Sequence, residues 1–267
     1  MSKVPRGQGV YDVVVIGAGT AGLVTAAGTA GLGGRVALIE QGRMGGDCLN
    51  TGCVPSKALI AAARLIDQIR HAQDFGLKPH EPAFDFATVF ARMRERRSKI
   101  AVNDSQARFE GLGVDVFTGH AQFLSPREVR VGSQTLRATN FVIAAGSRAA
   151  VPEIAGLDKI RYYTNETIFD ELEEKPKHLA VLGGGPIGCE LGQVFARLGV
   201  RVTILQRASR ILEKEDPDAA SLLTSRLEGE GVTILTGVEV QAAEPDGTTA
   251  RLSLKGPAGT PAKLECD

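Results

Sequence analysis

The first apolar run of the chain, Tyr11 to Ile16, follows a polar lead of residues 1–9 and is crowded with β-branched residues. It stops at Gly17, and so reads as a buried parallel strand running into a turn. Small residues then carry a helical stretch to about Gly31, and Arg35 to Ile39 form a second strand that ends at Glu40. The same pattern returns later: a strand from His178 to Leu182, a glycine turn, a helix to about Leu198 and a strand from Arg201 to Leu205. Between the two copies, a helix is expected from about Cys53 to His71, with an apolar stripe of Ala58, Ala61, Ala62, Leu65, Ile66 and Ile69. A proline-containing loop, 72–83, leads to a strongly charged helix from about Phe86 to Leu112. Short strands follow at Val114–Thr118, Val129–Val131 and Leu136–Ala138, and the segment Phe141–Arg148 reads as another buried strand that ends in Gly146. Pro152 to Asp158 reads as a linker. After the second copy, Asp216-Pro217-Asp218 starts a helix to about Glu230 with proline in its first turn. Strands at Val232–Leu235, Val238–Ala243 and about Arg251–Leu254 close the pattern.

Composition narrows the picture in three places. Residues 13–34 carry no charge, and Lys3 and Arg6 precede them as in a signal peptide or membrane span. The glycines and the β-branched opening favour a strand and a turn instead. The formal net charge is zero, with no basic stripe, so neither nucleic acid nor a membrane is an expected partner. Four cysteines in 267 residues do not make a stapled secreted scaffold; they fit a reducing, cytoplasmic setting with one redox-active pair.

The glycines carry the next inference. Gly17, Gly19 and Gly22 follow a strand, open a helix and end their strand–helix–strand unit in the acid Glu40. That context marks a dinucleotide site: Gly17 for the tight turn, Gly19 for close approach of a pyrophosphate, Gly22 for close packing, the helix N-terminus for the phosphate charge and Glu40 for ribose hydroxyls. Gly183, Gly185 and Gly188 repeat the spacing. The fold class is therefore α/β, with two Rossmann-like dinucleotide-binding domains, three-layered around parallel central sheets, over residues 1–150 and 151–267.

The remaining signal is Gly45-Gly46-Asp47-Cys48-Leu49-Asn50-Thr51-Gly52-Cys53-Val54-Pro55-Ser56-Lys57. On a regular helix the two cysteines would lie roughly 7.5 Å apart along the axis, whereas a disulfide wants Cα atoms about 4.4–6.8 Å apart. An irregular turn, which Gly52 and Pro55 favour, would let them meet. The N-terminus of the following helix would then lower a cysteine pKa. The pair alone is also compatible with buried core residues, a structural disulfide or half a metal site, although the spacing does not suit zinc and no metal is expected.

The segment resembles the redox-active signature of the flavin-dependent pyridine nucleotide–disulfide oxidoreductases, a family that includes glutathione reductase, dihydrolipoamide dehydrogenase and mercuric reductase. Asp47 and Thr51 depart from the usual Thr and Val. The resemblance implies FAD at the first glycine site and NADPH or NADH at the second. Hydride would pass to the flavin and electrons on to a Cys48–Cys53 disulfide, with Cys53 the flavin-facing thiolate and Cys48 the interchange thiol. It further implies that Gly46 and Lys57 lie at the flavin, that Lys57 pairs with Glu190 beneath it, and that Ala121 contacts the adenine by its backbone. Ala145 and Gly146 resemble the segment that usually reads Ala-Thr-Gly-Ser, and Val240 resembles a position at the nicotinamide cofactor's adenosine. His120 and Cys189 are read as structural.

At the second site no acid ends the second strand; Gln206 and Arg207 stand there. Gln tolerates a 2′-phosphate and Arg207 suits one, so NADPH is favoured over NADH. The later Asp that closes the FAD site, the returning strand of the second domain, and the dimerisation domain with its His-Glu acid/base pair are missing from these residues. The expectation is a C-terminally truncated member of a family of homodimers. The expected reaction is NAD(P)H-driven, FAD-dependent reduction of a small-molecule disulfide, thiol or mercuric acceptor. Mercuric reductase-like chemistry is favoured, with a dihydrolipoamide dehydrogenase-like enzyme second. A non-catalytic nucleotide-binding fragment is the alternative of another class.

Overall fold

The structure is a computed structural model that describes residues 9–267; the rest of the expected polar lead lies outside the described residues. The chain divides into two compact units. One comprises the chain up to Pro55 together with Glu95–Arg148, the other Ser56–Arg94 together with Ala149–Asp267.

In the first unit, β1 (Val10–Ile16) pairs in parallel with β2 (Val36–Glu40) on one side and β6 (Gln134–Ile143) on the other. With β3 (Val114–Thr118), β4 (Ala121–Ser125) and β5 (Glu128–Val131), the sheet order is β3-β2-β1-β6-β5-β4. Alternation along the strands makes two apolar faces. Val15, Val36, Leu38 and Val114 pack with Leu23 and Ala26 of helix α1 (Thr20–Gly31) and with Phe109. Val14, Ala37 and Ile39 pack instead with Val129, Val131, Leu136 and Ala138. The layers are thus helices, sheet and antiparallel meander. The uncharged stretch 13–34 is β1, a turn and α1.

Two strand expectations change here. The strand expected at Leu136–Ala138 and the start of the one expected from Phe141 are one ten-residue strand, β6, which ends at Ile143 rather than at Gly146, and that end is not buried: Ile143 is 71% exposed. β4 was not legible, because its exposed centre, Gln122 to Leu124, has no buried face to pattern.

In the second unit, β7 (His178–Leu182), β8 (Arg201–Gln206) and β9 (Thr233–Thr236) form a parallel sheet in that order. β10 (Glu239–Asp246), β11 (Thr249–Lys255) and β12 (Lys263–Cys266) form a separate antiparallel sheet. The expected strands fall on β9 to β11, with ends shifted by one to three residues, and β12 is additional. The main core joins helix α7 (Pro186–Arg197) to helices α3 (Cys53–Arg70) and α4 (Phe86–Ala101); α2 is the short helix Gly46–Asn50. Leu59, Ala63 and Ile66 form the buried stripe of α3, and Leu65, expected in it, is 58% exposed. Phe86 and Phe90 stack at 4.6 Å and lie near Phe195 of α7. This shared core is why Ser56–Arg94 groups with the later residues rather than with a continuous 1–150 domain.

The charged helix is also broken. It ends as α4 at Ala101, passes through a short 3-10 turn at Val102–Asp104, and restarts as α5 (Gln106–Gly111). Ser105 leaves helical geometry and its hydroxyl accepts from the Arg108 N–H, a cap that begins a new helix. Nor is the Arg/Lys cluster of Arg92, Arg94, Arg96, Arg97 and Lys99 wholly a solvated face. Arg94 donates to the carbonyls of Phe169, Asp170 and Leu172, and Arg97 to that of Asn50. The expected linker, 152–158, is packed: Ala155 bridges to Ala242, Leu157 is buried, and a Cβ on Gly156 would meet the Ala243 carbonyl at 2.2 Å. Helix α6 (Ile168–Glu171) and helix α8 (Pro217–Gly229) complete the unit, the latter capped by Asp216.

One charged cluster stands out in this unit. The Glu230 carboxylate, 7% exposed, accepts from Arg197 Nε and Nη2 at 2.8 Å, Arg226 Nε at 2.5 Å and Gln193 at 3.1 Å. Burial pushes its pKa up, but the guanidinium bonds outweigh this and hold it below the ordinary carboxylate value. A depressed folded pKa stabilises above the unfolded value near 4.3, and the contribution fades as pH falls through the folded value. Glu230→Gln is expected to destabilise the second unit by about 1.5–3 kcal/mol at pH 7, because Arg197 then keeps only the longer ion pair to Asp67, at 3.4 Å. The gap to wild type should shrink below about pH 4. Thermal unfolding across pH checks this; a gap that does not change with pH would reject the assignment.

Candidate active site

The Cys48–Cys53 segment, in the first unit, is irregular in the way its glycines require. Gly45, at φ 92°, enters α2, which carries Cys48 and ends at Asn50. Thr51 then leaves helical geometry, its N–H bonds the Asp47 carbonyl, and α3 begins at Cys53. A Cβ on Gly52 would sit 2.9 Å from that same carbonyl, so glycine keeps the turn tight. Both cysteines are free thiols, so the bridge implied by the resemblance is not formed in this structure. The side-chain hydrogen bond that the neutral Cys48 thiol makes with Cys53 is the main cause that raises the Cys48 pKa. Burial adds to the rise, and the Thr20 hydroxyl draws it back. The thiol is therefore shifted opposite to the helix-terminus effect expected from sequence. Cys53 is exposed and Cys48 half-buried.

The first glycine turn lies in the same unit. Gly17, at φ 103°, stands where a Cβ would meet the Ala144 carbonyl at 2.2 Å; Gly22 stands where one would meet the Gly17 carbonyl at 1.8 Å. Gly19 and Gly46 face each other, and a Cβ on Gly46 would come within 2.5 Å of Gly19 Cα. Glu40 grips the turn: its Oε2 accepts from Ala18 N–H at 2.6 Å and its Oε1 from Gly42 N–H at 2.7 Å. A carboxylate has further lone pairs, so ribose hydroxyls can still be bound. Gly119 donates to the Glu40 carbonyl and His120 contacts Gln41, which places Ala121, the first residue of β4, next along from the end of β2. Gly146, at φ 70°, and Ala145 lie in the exposed irregular chain after β6.

The second unit holds the other glycine turn. Gly188 is a packing glycine, its would-be Cβ 2.1 Å from the Gly183 carbonyl, while Cβ atoms on Gly183 and Gly185 would meet nothing within 4 Å. That open face, at the N-terminus of α7, fits a phosphate. Gln206 stands in the acid's place, and its Oε1 accepts from Gly184 N–H at 2.8 Å. Arg207 beside it is exposed. Gly183, Gly185, Gly188 and Val240 line one cavity of about 500 Å³, whose other walls are mainly apolar, Leu179, Val181 and Leu252 among them; Gln206 and Arg207 are outside it. Cys189 is buried against the Gly184 carbonyl, and burial raises its pKa.

Lys57 and Glu190, in this unit, form an ion pair with Lys57 Nζ 2.8 Å from both carboxylate oxygens. Burial raises the Glu190 pKa, but bonds from Lys57 and Ser56 outweigh it and leave the carboxyl below its ordinary value. Buried Ser56 and the Thr20 contact were not singled out from sequence, since single hydroxyls carry no pattern of their own.

Three comparisons agree on what kind of chain this is. Residues 11–267 match the family described as pyridine nucleotide-disulphide oxidoreductase. The chain is 33% identical over 252 residues to a mercuric reductase of Staphylococcus aureus, covering 93% of this chain and 45% of that one. It is 36% identical over 252 residues to a dihydrolipoyl dehydrogenase of Geobacillus stearothermophilus, covering 92% and 53%. Among solved structures, the HOCl-induced flavoprotein disulfide reductase RclA of Escherichia coli superposes with a TM-score of 0.81 at 30% identity, over 96% of this chain and 55% of that one. The chain thus spans about half the length of these relatives. With its two glycine turns and its cysteine signature, it belongs to the pyridine nucleotide-disulphide oxidoreductase family.

Proposed function

We propose that the chain carries the cofactor and redox half of an FAD-dependent NAD(P)H oxidoreductase acting on a thiol-seeking acceptor. Mercuric ion is the first such acceptor and a small disulfide such as lipoamide the second. The observation that carries this reading is the contact of two free thiols, Cys48 and Cys53, in the unit that also holds the first glycine turn. Relatives named mercuric reductase and dihydrolipoyl dehydrogenase support the two acceptors alike. FAD, when bound, would supply the two-electron relay between nicotinamide and sulfur.

The chain's own residues would do the rest. Gly17, Gly19, Gly22 and Gly46 bring backbone close to the flavin's pyrophosphate, Glu40 holds the ribose, and Ala121, Ala145 and Gly146 line the same cofactor. Gly183, Gly185, Gly188 and Val240 bind the nicotinamide dinucleotide. Gln206 presents no charge to repel a 2′-phosphate and Arg207 attracts one, which favours NADPH. Lys57, held by Glu190, places a positive charge that favours an electron-rich flavin. With a disulfide acceptor, NAD(P)H and one proton convert the Cys48–Cys53 disulfide to two thiols; Cys48 then attacks the acceptor disulfide and Cys53 displaces it, restoring the bridge. With mercuric ion, the two thiolates bind the metal as substrate, and NAD(P)H with Hg²⁺ gives NAD(P)⁺, Hg⁰ and one proton. The enzyme is proposed to be a cytoplasmic homodimer.

The test is an anaerobic titration of purified, FAD-treated protein with NADPH and, separately, NADH. A bound-flavin spectrum that gains long-wavelength absorption as thiolate forms against the ring is expected, with NADPH the better donor and Lys57→Ala slower. Mercuric ion or lipoamide should then reoxidise it. Protein that stays colourless with added FAD would reject this reading in favour of a non-catalytic fragment.

A further inference from the structure

The two glycine turns are gripped in the same way. In the first unit the middle residue, Ala18, gives its N–H to Glu40 and receives on its carbonyl the N–H of Gly45 at 2.8 Å. In the second unit Gly184 gives its N–H to Gln206 and receives on its carbonyl the N–H of Leu212, also at 2.8 Å. The strand-end side chain is 22 residues after the turn residue in both cases. Each backbone grip requires left-handed geometry: Gly45 has φ 92° and Leu212 has φ 48°.

The difference is the residue that adopts it. Glycine takes this conformation freely, whereas a branched side chain does so under strain and needs the surroundings to hold it. Leu212 is the one non-glycine at positive φ among the described residues. Arg210 supplies the hold. Its Nη1 donates to the Leu212 carbonyl at 2.7 Å, and its Nη2 to the carbonyls of Glu213 at 2.7 Å and Glu215 at 2.9 Å. Ile211, 1% exposed, seals the same loop onto Gly184, where a Cβ would come within 2.5 Å of it. A planar guanidinium spans three carbonyls that a single ammonium does not.

We propose that Arg210 is the positioning residue of the second dinucleotide site. By fixing Leu212 in the left-handed conformation it closes the grip on Gly184, and so presets both the phosphate-binding turn and the strand-end segment that carries Arg207. The dinucleotide role rests on the function proposed above; the grip itself does not.

Amide hydrogen exchange of the free protein, followed by NMR at Gly184 and Leu212, reads the grip directly. Arg210→Ala is expected to speed both amides at least tenfold and to leave Ala18 and Gly45 unchanged. Fluorescence titration of the FAD-loaded protein with NADPH should show an affinity at least tenfold weaker in Arg210→Ala, at unchanged FAD content. In a Leu212→Gly background, where the left-handed turn needs no hold, the same change should weaken binding less than threefold. If Arg210→Ala does not fold, Arg210→Lys replaces it with the same expected exchange. Unchanged exchange, or an equal loss in both backgrounds, overturns the proposal. Wild-type protein that binds neither NADPH nor NADH overturns the function proposed above and the dinucleotide role with it, while the exchange rates still decide whether Arg210 holds the turn.

Discussion

Gly22→Ala is expected to yield a protein that no longer retains FAD, and Gly188→Ala one that retains FAD but is not reduced by NAD(P)H. The added methyl would stand 1.8 Å from the Gly17 carbonyl in the first case and 2.1 Å from the Gly183 carbonyl in the second. Neither obstacle is a flexible side chain; both are backbone of the phosphate turn, so the turn itself must move. Overpacking of this kind costs about 1–3 kcal/mol even where neighbours can yield. Here the displaced atoms are the ones proposed to approach the cofactor, and a loss of at least about 100-fold in affinity follows from about 3 kcal/mol. Gly28→Ala is the internal control. It lies in α1 as Gly22 does, a Cβ there meets nothing within 4 Å, and helix propensity alone should stabilise it by about 0.5–1 kcal/mol. Flavin content after desalting and the rate of bleaching by NADPH separate the outcomes. A Gly22→Ala protein that holds FAD as wild type does would place the cofactor elsewhere.

Cys53→Ser should abolish turnover with a disulfide acceptor, by at least about 1000-fold, because serine cannot complete the exchange that needs two sulfurs. It should also change the partner it leaves behind. The largest cause of the raised Cys48 pKa is its hydrogen bond with Cys53, with burial second. A raised thiol pKa means less thiolate at a given pH, so Cys48 in the reduced wild type should be alkylated by iodoacetamide more slowly than an ordinary thiol. Removing the Cys53 sulfur should bring its titration back toward the usual range and speed alkylation at pH 8. The pH dependence of alkylation, with the modified residue located by mass spectrometry, checks both halves. A Cys48 that reacts no faster in the variant would leave burial as the governing cause.

The two glycine turns and the irregular cysteine segment were legible in the sequence, because glycine spacing after a strand and two cysteines ahead of a helix are local patterns. Gly17, Gly22 and Gly188 are where backbone crowding excludes a side chain, Gly183 is where the turn takes a positive φ, and Glu40 and Gln206 stand where a strand end must meet the turn. What was not legible depends on distant neighbours. Nothing local distinguishes Arg94, which serves three backbone carbonyls, from Arg92, which is exposed. The stripe of α3 was placed only in part, with Ala58 and Ile66 on the core face but Leu65 off it, because its alanines fit several helical faces and only the packing of Leu59, Ala63 and Ile66 with Phe86 and Phe90 selects one. The break at Ser105 hides within a composition that is helical on both sides. The Arg210 bonds could not be read either, since they exist only because Leu212 adopts a conformation that its residue type disfavours.

The interleaved make-up of the two units sets the order in which they can form. The core of the second unit draws Leu59, Ala63, Phe86 and Phe90 together with Phe195, Leu227 and Val232. During synthesis the early helices must therefore wait, with their apolar faces uncovered, until well over a hundred further residues have emerged, and contacts so distant in sequence close slowly. The first unit, by contrast, completes with β6 at Ile143. A chain divided between residues 148 and 149 would leave one fragment with an orphaned pair of helices and the other with a sheet missing its cover. The two proposed nucleotide sites are thus separable as chemistry, but the polypeptide offers no single point at which to separate them.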